Sequence, residues 1–244
     1  MSTVNIDPAL VREMAPTGSL RIGINLGNPV IAQRDPAGGD PGGVGPALGR
    51  EVARRLGVPP QYFTYDTAGK LADAVKAGAW DVAFLAVDPA RATDIDFTAP
   101  YVHIEGTYLV RDAARFRGVQ DMDAEGVRIA VGLKTAYDLY LTREIRSAQL
   151  VRGDTSIAAI ERFVSEDLDA VAGVRQPLQT YAAAHPGYRV LADSFMVIRQ
   201  ASGVPKGRPR AHAFLAAFIE EAKRSGFVAA ALAESGVGEV TLAP

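Results

Sequence analysis

Arg91 is the residue in this sequence whose type and position most plainly suit chemistry. It follows Trp80-Asp81-Val82-Ala83-Phe84-Leu85-Ala86-Val87-Asp88-Pro89-Ala90, and the apolar run from Val82 to Val87 is long enough for one buried strand. Asp88-Pro89 stops that run, because proline cannot donate to a sheet and restricts the residue before it. Arg91 therefore falls just past the carboxyl end of a strand, on a loop or the first turn of a short helix. Ligands of open α/β sheets bind at that end. A guanidinium there suits a carboxylate, which it grips through two parallel hydrogen bonds. The competing reading is a surface ion pair with Asp88 or Asp94.

Other chemistries find less support. His103, His185 and His212 are far apart and lack metal-ligand spacing; His103 lies nearest the residues of interest, and an ordinary surface or hydrogen-bonded histidine is the expectation there. No Gly-x-Ser-x-Gly elbow occurs. With no cysteine, disulfides, thiolate catalysis and Cys-type zinc sites are excluded. The Gly/Pro-dense stretch from Asp35 to Gly45 lacks the spacing of a phosphate cradle and reads as a mobile loop. A net charge of -2 gives no polyanion footprint, so nucleic acid is not an expected partner. No run approaches the ~18 apolar residues of a membrane span. Tyr62, Phe63 and Tyr65 resemble a stacking platform, but at strand spacing they read as core and sheet surface.

These residues need a scaffold, and the chain supplies one twice. Leu20 to Leu26 reads as a first strand, broken by Gly27-Asn28-Pro29. Pro46 can open a helix that carries Leu48, Val52 and Leu56 on one face and stops at Gly57. Tyr62 to Tyr65 is a second strand. Thr67 can cap a helix bearing Leu71, Ala74 and Val75, ended by Gly78. The strand from Asp81 completes β-α-β-α-β, the order of a parallel sheet with helices on its faces. Tyr101 to Val110 alternates loosely, and Arg111 to Gly126 reads as a crossing to a second body. The order then recurs: strand Val127–Val131, helix Lys134–Ile145, strand Gln149–Val151, a helix capped by Asp154, strand Leu168–Ala172. Val174–His185 reads as helix, Tyr188–Leu191 as strand, and Phe195–Ile198 crosses back. Ala211–Ser225 is an amphipathic helix with Phe214, Leu215, Phe218, Ile219 and Ala222, and Phe227–Leu232 continues it. Leu10, Val11 and Met14 suggest a short surface helix ahead of the fold. At 244 residues and 48% hydrophobic, the chain can bury one large core or two. Two such lobes joined by two crossings make a cleft and a hinge.

From about Gly18 to about Val237 the sequence resembles the type II periplasmic binding-protein fold, specifically the family 3 solute-binding proteins of polar amino acid ABC transporters. The resemblance rests on Gly18-Ser19-Leu20-Arg21-Ile22-Gly23, the helix entry from Gly43 to Leu56, Asp81 to Arg91, and Phe97-Thr98-Ala99-Pro100-Tyr101. Further matches are Gly126-Val127-Arg128-Ile129-Ala130-Val131-Gly132 and Leu168-Asp169-Ala170. It implies an α/β fold of two lobes: 18-108 plus 196-244 as lobe 1 and 109-195 as lobe 2, with 1-17 as an N-terminal extension. It makes Arg91 the clamp on a ligand carboxylate. It also assigns Lys134-Thr135-Ala136 to the same anion from the second lobe, where a helix N-terminus offers free N–H groups.

Two departures stand out. Asp88 occupies the place of an expected threonine three residues before Arg91, and its carboxylate repels an anion unless Arg91 pairs with it. The family's ammonium-binding aspartate falls near Gly173-Val174, which cannot do that work; Glu105, Asp88 or Asp138 are the alternatives, as is a carboxylic acid without an amino group. The resulting expectation is a cofactor-free, metal-free monomer that binds a small carboxylate-bearing solute and serves an ABC permease, with no insertion into a membrane. Its contacts are Arg91, Asp88, Asn28 and Glu105 together with Lys134, Thr135 and Tyr137. The rivals are a cyclohexadienyl dehydratase-like enzyme, with Glu105 or Asp88 as acid/base, and a ligand sensor without a transporter. The resemblance implies the periplasm. Met1 to Asp7 has no basic or apolar leader region, so either the leader is removed or the compartment is the cytoplasm.

Overall fold

A computed structural model describes residues 7–237 and 240–244. The sequence read above for a leader lies, up to residue 6, outside the described residues. The chain groups into two compact units. Unit 1 comprises the chain to Tyr65, Lys70–Val102 and Arg199–Pro244; unit 2 comprises Asp66–Gly69 and His103–Ile198.

In unit 1, β1 (Leu20–Asn25) lies between β2 (Pro60–Tyr65) and β3 (Val82–Ala86), parallel to both. The register Ile24↔Phe84 brings the carboxyl ends of β1 and β3 level. β3 is buried along its whole length, as expected of a strand covered on both faces. Helix α2 (Val44–Leu56) turns Leu48, Val52 and Leu56 inward. Gly57 ends it in the left-handed region at φ 68, and its amide reaches back to Ala53 and Arg54. Pro46 stands at the third helical position rather than the first, still within the turn whose amides have no intrahelical acceptor. Helix α3 (Ala68–Asp73), whose first two residues group with unit 2, runs on into a 3-10 turn, Ala74–Ala77, closed by Gly78. Leu71, Val75, Trp80, Ala83, Leu85 and Ile95 form a core here, and Trp80 Nε1 donates to Leu71 O at 2.9 Å. A Cβ on Gly23 would come within 2.6 Å of Leu71 Cδ1 and 3.1 Å of Trp80, so a side chain there would have to push Leu71 aside.

Helix α1 (Pro8–Met14) is more than a surface feature. Met14 is fully buried, and Glu13 accepts from the amides of Arg210 and Ala211 at the start of α7 (Pro209–Arg224). α8 (Phe227–Ser235) follows.

Strand β4 (Ile95–Arg111) is 17 residues long and passes from unit 1 into unit 2; β9 (Met196–Pro205) returns. The stretch after Arg111, expected to be the crossing, lies wholly inside unit 2 and carries a 3-10 turn at Val119–Met122. The crossing is made by strand instead, because β4 keeps a partner in each unit: β9 in unit 1 and β7 (Ala170–Val174) in unit 2.

In unit 2, β5 (Arg128–Gly132) lies between β6 (Gln149–Gly153) and β7 (Ala170–Val174), parallel to both, and β7 pairs antiparallel with β4. β8 (Tyr188–Val190) also pairs with β4. Leu109, Ala130, Ala159, Phe163, Leu168, Val171 and Leu178 form the core. Helix α4 runs Ala136–Glu144, starting two residues later than expected, since Lys134 is left-handed (φ 56) and Thr135 is the cap. Helix α5 (Ser156–Ser165) is capped by Thr155, not Asp154: the Thr155 hydroxyl accepts from Ala158 N at 3.0 Å. Helix α6 (Arg175–Ala184) leaves β7 directly. β10 (Thr241–Leu242) ends the chain and pairs with β4.

Candidate functional site

Each unit gathers the residues singled out above at the carboxyl ends of its parallel strands. In unit 1, the turn after β3 is closed by Asp88: its Oδ1 accepts from Ala90 N (2.8 Å) and its carbonyl from Ala92 N (2.9 Å). Arg91 opens the 3-10 turn Arg91–Thr93 and folds back, so that Nη1 donates to Ala86 O at 2.9 Å. The competing reading put Arg91 on the surface, but Arg91 is only 5% exposed and Asp88 3%, and Asp94 meets Lys76 at 3.6 Å. Burial pushes the Arg91 guanidinium down to about 10, opposed by the charges of Asp88 and Asp73. A guanidinium is a weakly hydrated cation and tolerates this better than an ammonium would. Asn28 is buried just past the end of β1, where its Oδ1 accepts from Val30 N at 3.3 Å. Four residues beyond the Ile24↔Phe84 pair on either strand stand Asn28 and Asp88, so unit 1 brings Asn28, Asp88 and Arg91 to one end of its sheet.

In unit 2, Lys134 and Thr135 form the turn from β5 into α4. Thr135 Oγ1 accepts from Asp138 N (3.1 Å) and donates to Gly132 O (2.8 Å). Buried Asp138 returns to accept from Lys134 N (2.7 Å) and from Arg152 Nε (2.9 Å). The Thr135 hydroxyl thus caps α4, and the Asp138 carboxylate takes up the Lys134 amide, one of those expected to be open to an anion. Helix geometry leaves the amides of Ala136 and Tyr137 without an intrahelical acceptor. Tyr137 is buried, with its hydroxyl 2.8 Å from Ser156 Oγ. A lysine in the left-handed region is strained where glycine would be at ease. Lys134 holds that conformation with its stem against Gly69, where a Cβ would lie 2.6 Å from its own.

Glu105 stands on β4 in the same unit. The register Gly106↔Val174 sets it beside Arg175, whose Nε donates to Glu105 Oε2. Sequence reasoning missed Arg175. The signal that identified Arg91, a cation just past a strand's carboxyl end, applies to it equally. His103 lies half-buried on β4, His212 Nε2 meets Phe97 O at 2.9 Å, and His185 stacks on Tyr181 at 4.0 Å. Among the described residues no cluster of His, Asp and Glu could hold a metal ion, and no helix is long and apolar enough to cross a membrane.

Strand ends that carry such polar sets, on a fold repeated in two units, invite comparison with known proteins. The model of the bacterial extracellular solute-binding proteins, family 3, matches residues 20–234. The chain belongs to this family. Its fold is the mixed α/β, type II periplasmic binding-protein fold. Among solved structures, an arginine-binding protein mutant (ArgBP) from T. maritima aligns over 93% of this chain and 99% of its own at 22% identity and a TM-score of 0.79. A cysteine-binding protein from Campylobacter jejuni aligns over 92% of each chain at 20% identity and a TM-score of 0.79. The ancestral amino acid-binding protein AncCDT-1, described as a precursor of cyclohexadienyl dehydratase, covers 92% of this chain and 97% of its own at 21% identity and a TM-score of 0.77. Likeness at this identity establishes the fold. No curated protein matches.

Proposed function

We propose that this family 3 protein captures a small carboxylate-bearing solute, an amino acid or related organic acid, and hands it to an ABC permease outside the cytoplasm. In this reading it is a binding protein and not an enzyme. Arg91 clamps the carboxylate, with Asn28 and Asp88 shaping the unit 1 surface. Lys134, Thr135, Tyr137 and Glu105 supply contacts from unit 2. Strands β4 and β9 are the hinge.

The observation that carries the reading is Arg91 itself. A guanidinium held almost wholly out of water past the end of β3, its ionisation disfavoured by burial, stands to gain more from an incoming anion than an exposed one would. Lys134, in the turn that leads into α4, adds a full positive charge at the corresponding end of unit 2. The structural relatives are named as arginine-, cysteine- and amino acid-binding proteins, which makes amino acids the first class to try.

The test is a thermal-shift screen of amino acids, keto acids and aromatic acids. A solute that binds only the folded chain raises Tm with its saturation. Members of the carboxylate set are expected to do so, and Arg91→Ala is expected to weaken them by about 100-fold, the scale of a lost charge-assisted bidentate contact. If no carboxylate raises Tm, the reading fails. Turnover of prephenate-like acids, lost in Glu105→Gln, would replace it with the enzyme reading.

A further inference from the structure

Strands β4 and β9 carry the chain between the units, and each is anchored on either side of its crossing. In unit 1, Tyr101 O on β4 accepts from Ala243 N (3.2 Å), and Arg199 O on β9 accepts from Val87 N (2.9 Å). Lys223 Nζ reaches Pro100 O, beside the first of these, at 3.4 Å. In unit 2, Gly106 O accepts from Phe195 N and Tyr108 O from Leu191 N, both at 2.9 Å. Buried Thr107 adds a side-chain tie: its Oγ1 donates to Leu191 O (3.2 Å) and Asp193 O (2.8 Å). Phe195 packs on Tyr108 with ring centroids 4.6 Å apart. Between the two sets of anchors lie 102–104 of β4 and 196–198 of β9. The border of the units falls within the first stretch and at the end of the second. Val102, Ile104, Val197 and Ile198 are β-branched and suited to strand, so these stretches twist as strand rather than fold as loop.

Arg175 closes the outer end of the unit 2 anchor. It opens α6, where a cation is unfavourable with respect to the helix dipole, so its place calls for another reason. Its bonds supply one. Nη1 donates to Leu191 O (2.9 Å), Nη2 to Ala192 O and Asp193 O (both 3.0 Å), and Nε to Glu105 Oε2. Glu105 is the next residue of β4 beyond Gly106 toward the crossing. One side chain therefore joins β4, the 191–193 turn and the corner between β7 and α6. An ion pair to a carboxylate as open as Glu105, 51% exposed, is worth little by itself. Here the guanidinium is 16% exposed and already held by three carbonyls, so gripping Glu105 requires little further ordering.

We infer that Arg175 is a positioning residue that sets how much of the crossing bends. It carries the rigid part of unit 2 out to Glu105 and confines the pivot to 102–104 and 196–198. Without it the rigid part retreats to Thr107 and Leu191, and the bond between Phe195 and Gly106 joins the pivot. This rests on β4 and β9 as the hinge and is independent of which solute binds.

Amide exchange of the whole chain, followed residue by residue by NMR, reads where the rigid part ends. In the wild type the amides of Phe195 and Leu191 are expected to be protected to within about threefold of one another, as members of one cooperative unit. Arg175→Met is expected to speed exchange at Phe195 by about tenfold or more and at Leu191 by less than about threefold, since Thr107 still holds the inner end. Glu105→Gln keeps the carbonyl bonds and removes the charge. It is expected to move Phe195 the same way by less, and it decides the matter if Arg175→Met does not fold. The chain has no cysteine, so Glu161→Cys in unit 2 and Ala230→Cys in unit 1, both exposed, take one pair of spin labels. Arg175→Met is expected to broaden the distribution of distances between the labels. Equal speeding at Phe195 and Leu191, no speeding at Phe195 in either variant, or a distribution that does not broaden overturns the inference. If the labels of the wild type still change distance when a binding acid is added, the hinge stands without it. If neither variant nor acid changes that distance, the hinge reading falls as well.

Discussion

The turn that leads into the third parallel strand is built twice, and the two copies differ in burial. In unit 1, Arg21 N donates to Asp81 Oδ2, Asp81 N donates back to Arg21 O, and the Arg21 side chain reaches Gly78 O. In unit 2, Arg128 N donates to Asp169 Oδ2, Asp169 N donates back to Arg128 O, and the Arg128 side chain reaches Asp167 O. Each turn also has a left-handed residue, Gly78 at φ 61 and Asp167 at φ 51. The copies diverge in what surrounds them. Asp81 is fully buried and is held by Arg21 and by Arg208, which the tail brings in just ahead of α7. Asp169 is half-buried, and its bond lies open to solvent. One local design can therefore be a cornerstone or a surface clip, depending on what covers it.

That contrast can be broken experimentally, and the largest effect belongs to Asp81. Asp81→Ala leaves two arginines without their carboxylate in a buried place and is expected to cost about 3–5 kcal/mol in denaturant unfolding. Asp169→Ala, at the solvent-open copy, is expected to cost about 1 kcal/mol or less. Equal costs would show that burial does not separate the two. The left-handed residues give a smaller and opposite pair. Gly78→Ala is expected to destabilise by about 1 kcal/mol, since alanine pays for a positive φ that glycine does not. Asp167→Gly is expected to gain a few tenths of a kcal/mol, roughly the relieved strain less the exposed ion pair with Arg111.

Acid titration sharpens the comparison at its weakest point. Arg54 and Arg55 hold Glu51 down to about 2, and Arg55 also bonds Glu221 on α7, so this cluster ties two helices of unit 1 together. In unit 2, the Arg162–Glu166 pair lies within one exposed helix. Glu51 has a folded-state pKa below its unfolded value, so its contribution is present above pH 4.5 and fades as pH falls toward 2. Glu51→Gln is expected to cost about 1 kcal/mol at pH 7, with the gap to wild type closing by about pH 2. Glu166→Gln is expected to change stability less over the same range.

Much of this fold could be read from the sequence, for local reasons. Apolar runs stopped by glycine or proline marked β1, β3, β5 and β7. Gly57 and Gly78 marked helix ends, and both are left-handed. Arg91 was located by its distance past a strand. What was missed depends on contacts remote in sequence. Arg175 acquires its meaning from Glu105, 70 residues away, and from the carbonyls of 191–193. The burial of Arg91 and Asp88 could not be seen, because two charges near a proline read equally well as solvated. Thr155 took the cap from Asp154 because either residue can fill that place and only the backbone chooses. Lys134 concealed a left-handed position that a glycine would have disclosed.

The central claim is that Arg91 grips a solute carboxylate, and one calorimetric titration tests it most directly. Wild type and Arg91→Ala are each titrated with the tightest acid from the screen and with that acid's primary amide. The account predicts that wild type loses about 100-fold on going from acid to amide, and that Arg91→Ala binds both equally weakly, as expected when one charged partner of a paired contact is removed from either side. An Arg91→Ala variant that still separates acid from amide as wild type does would contradict it.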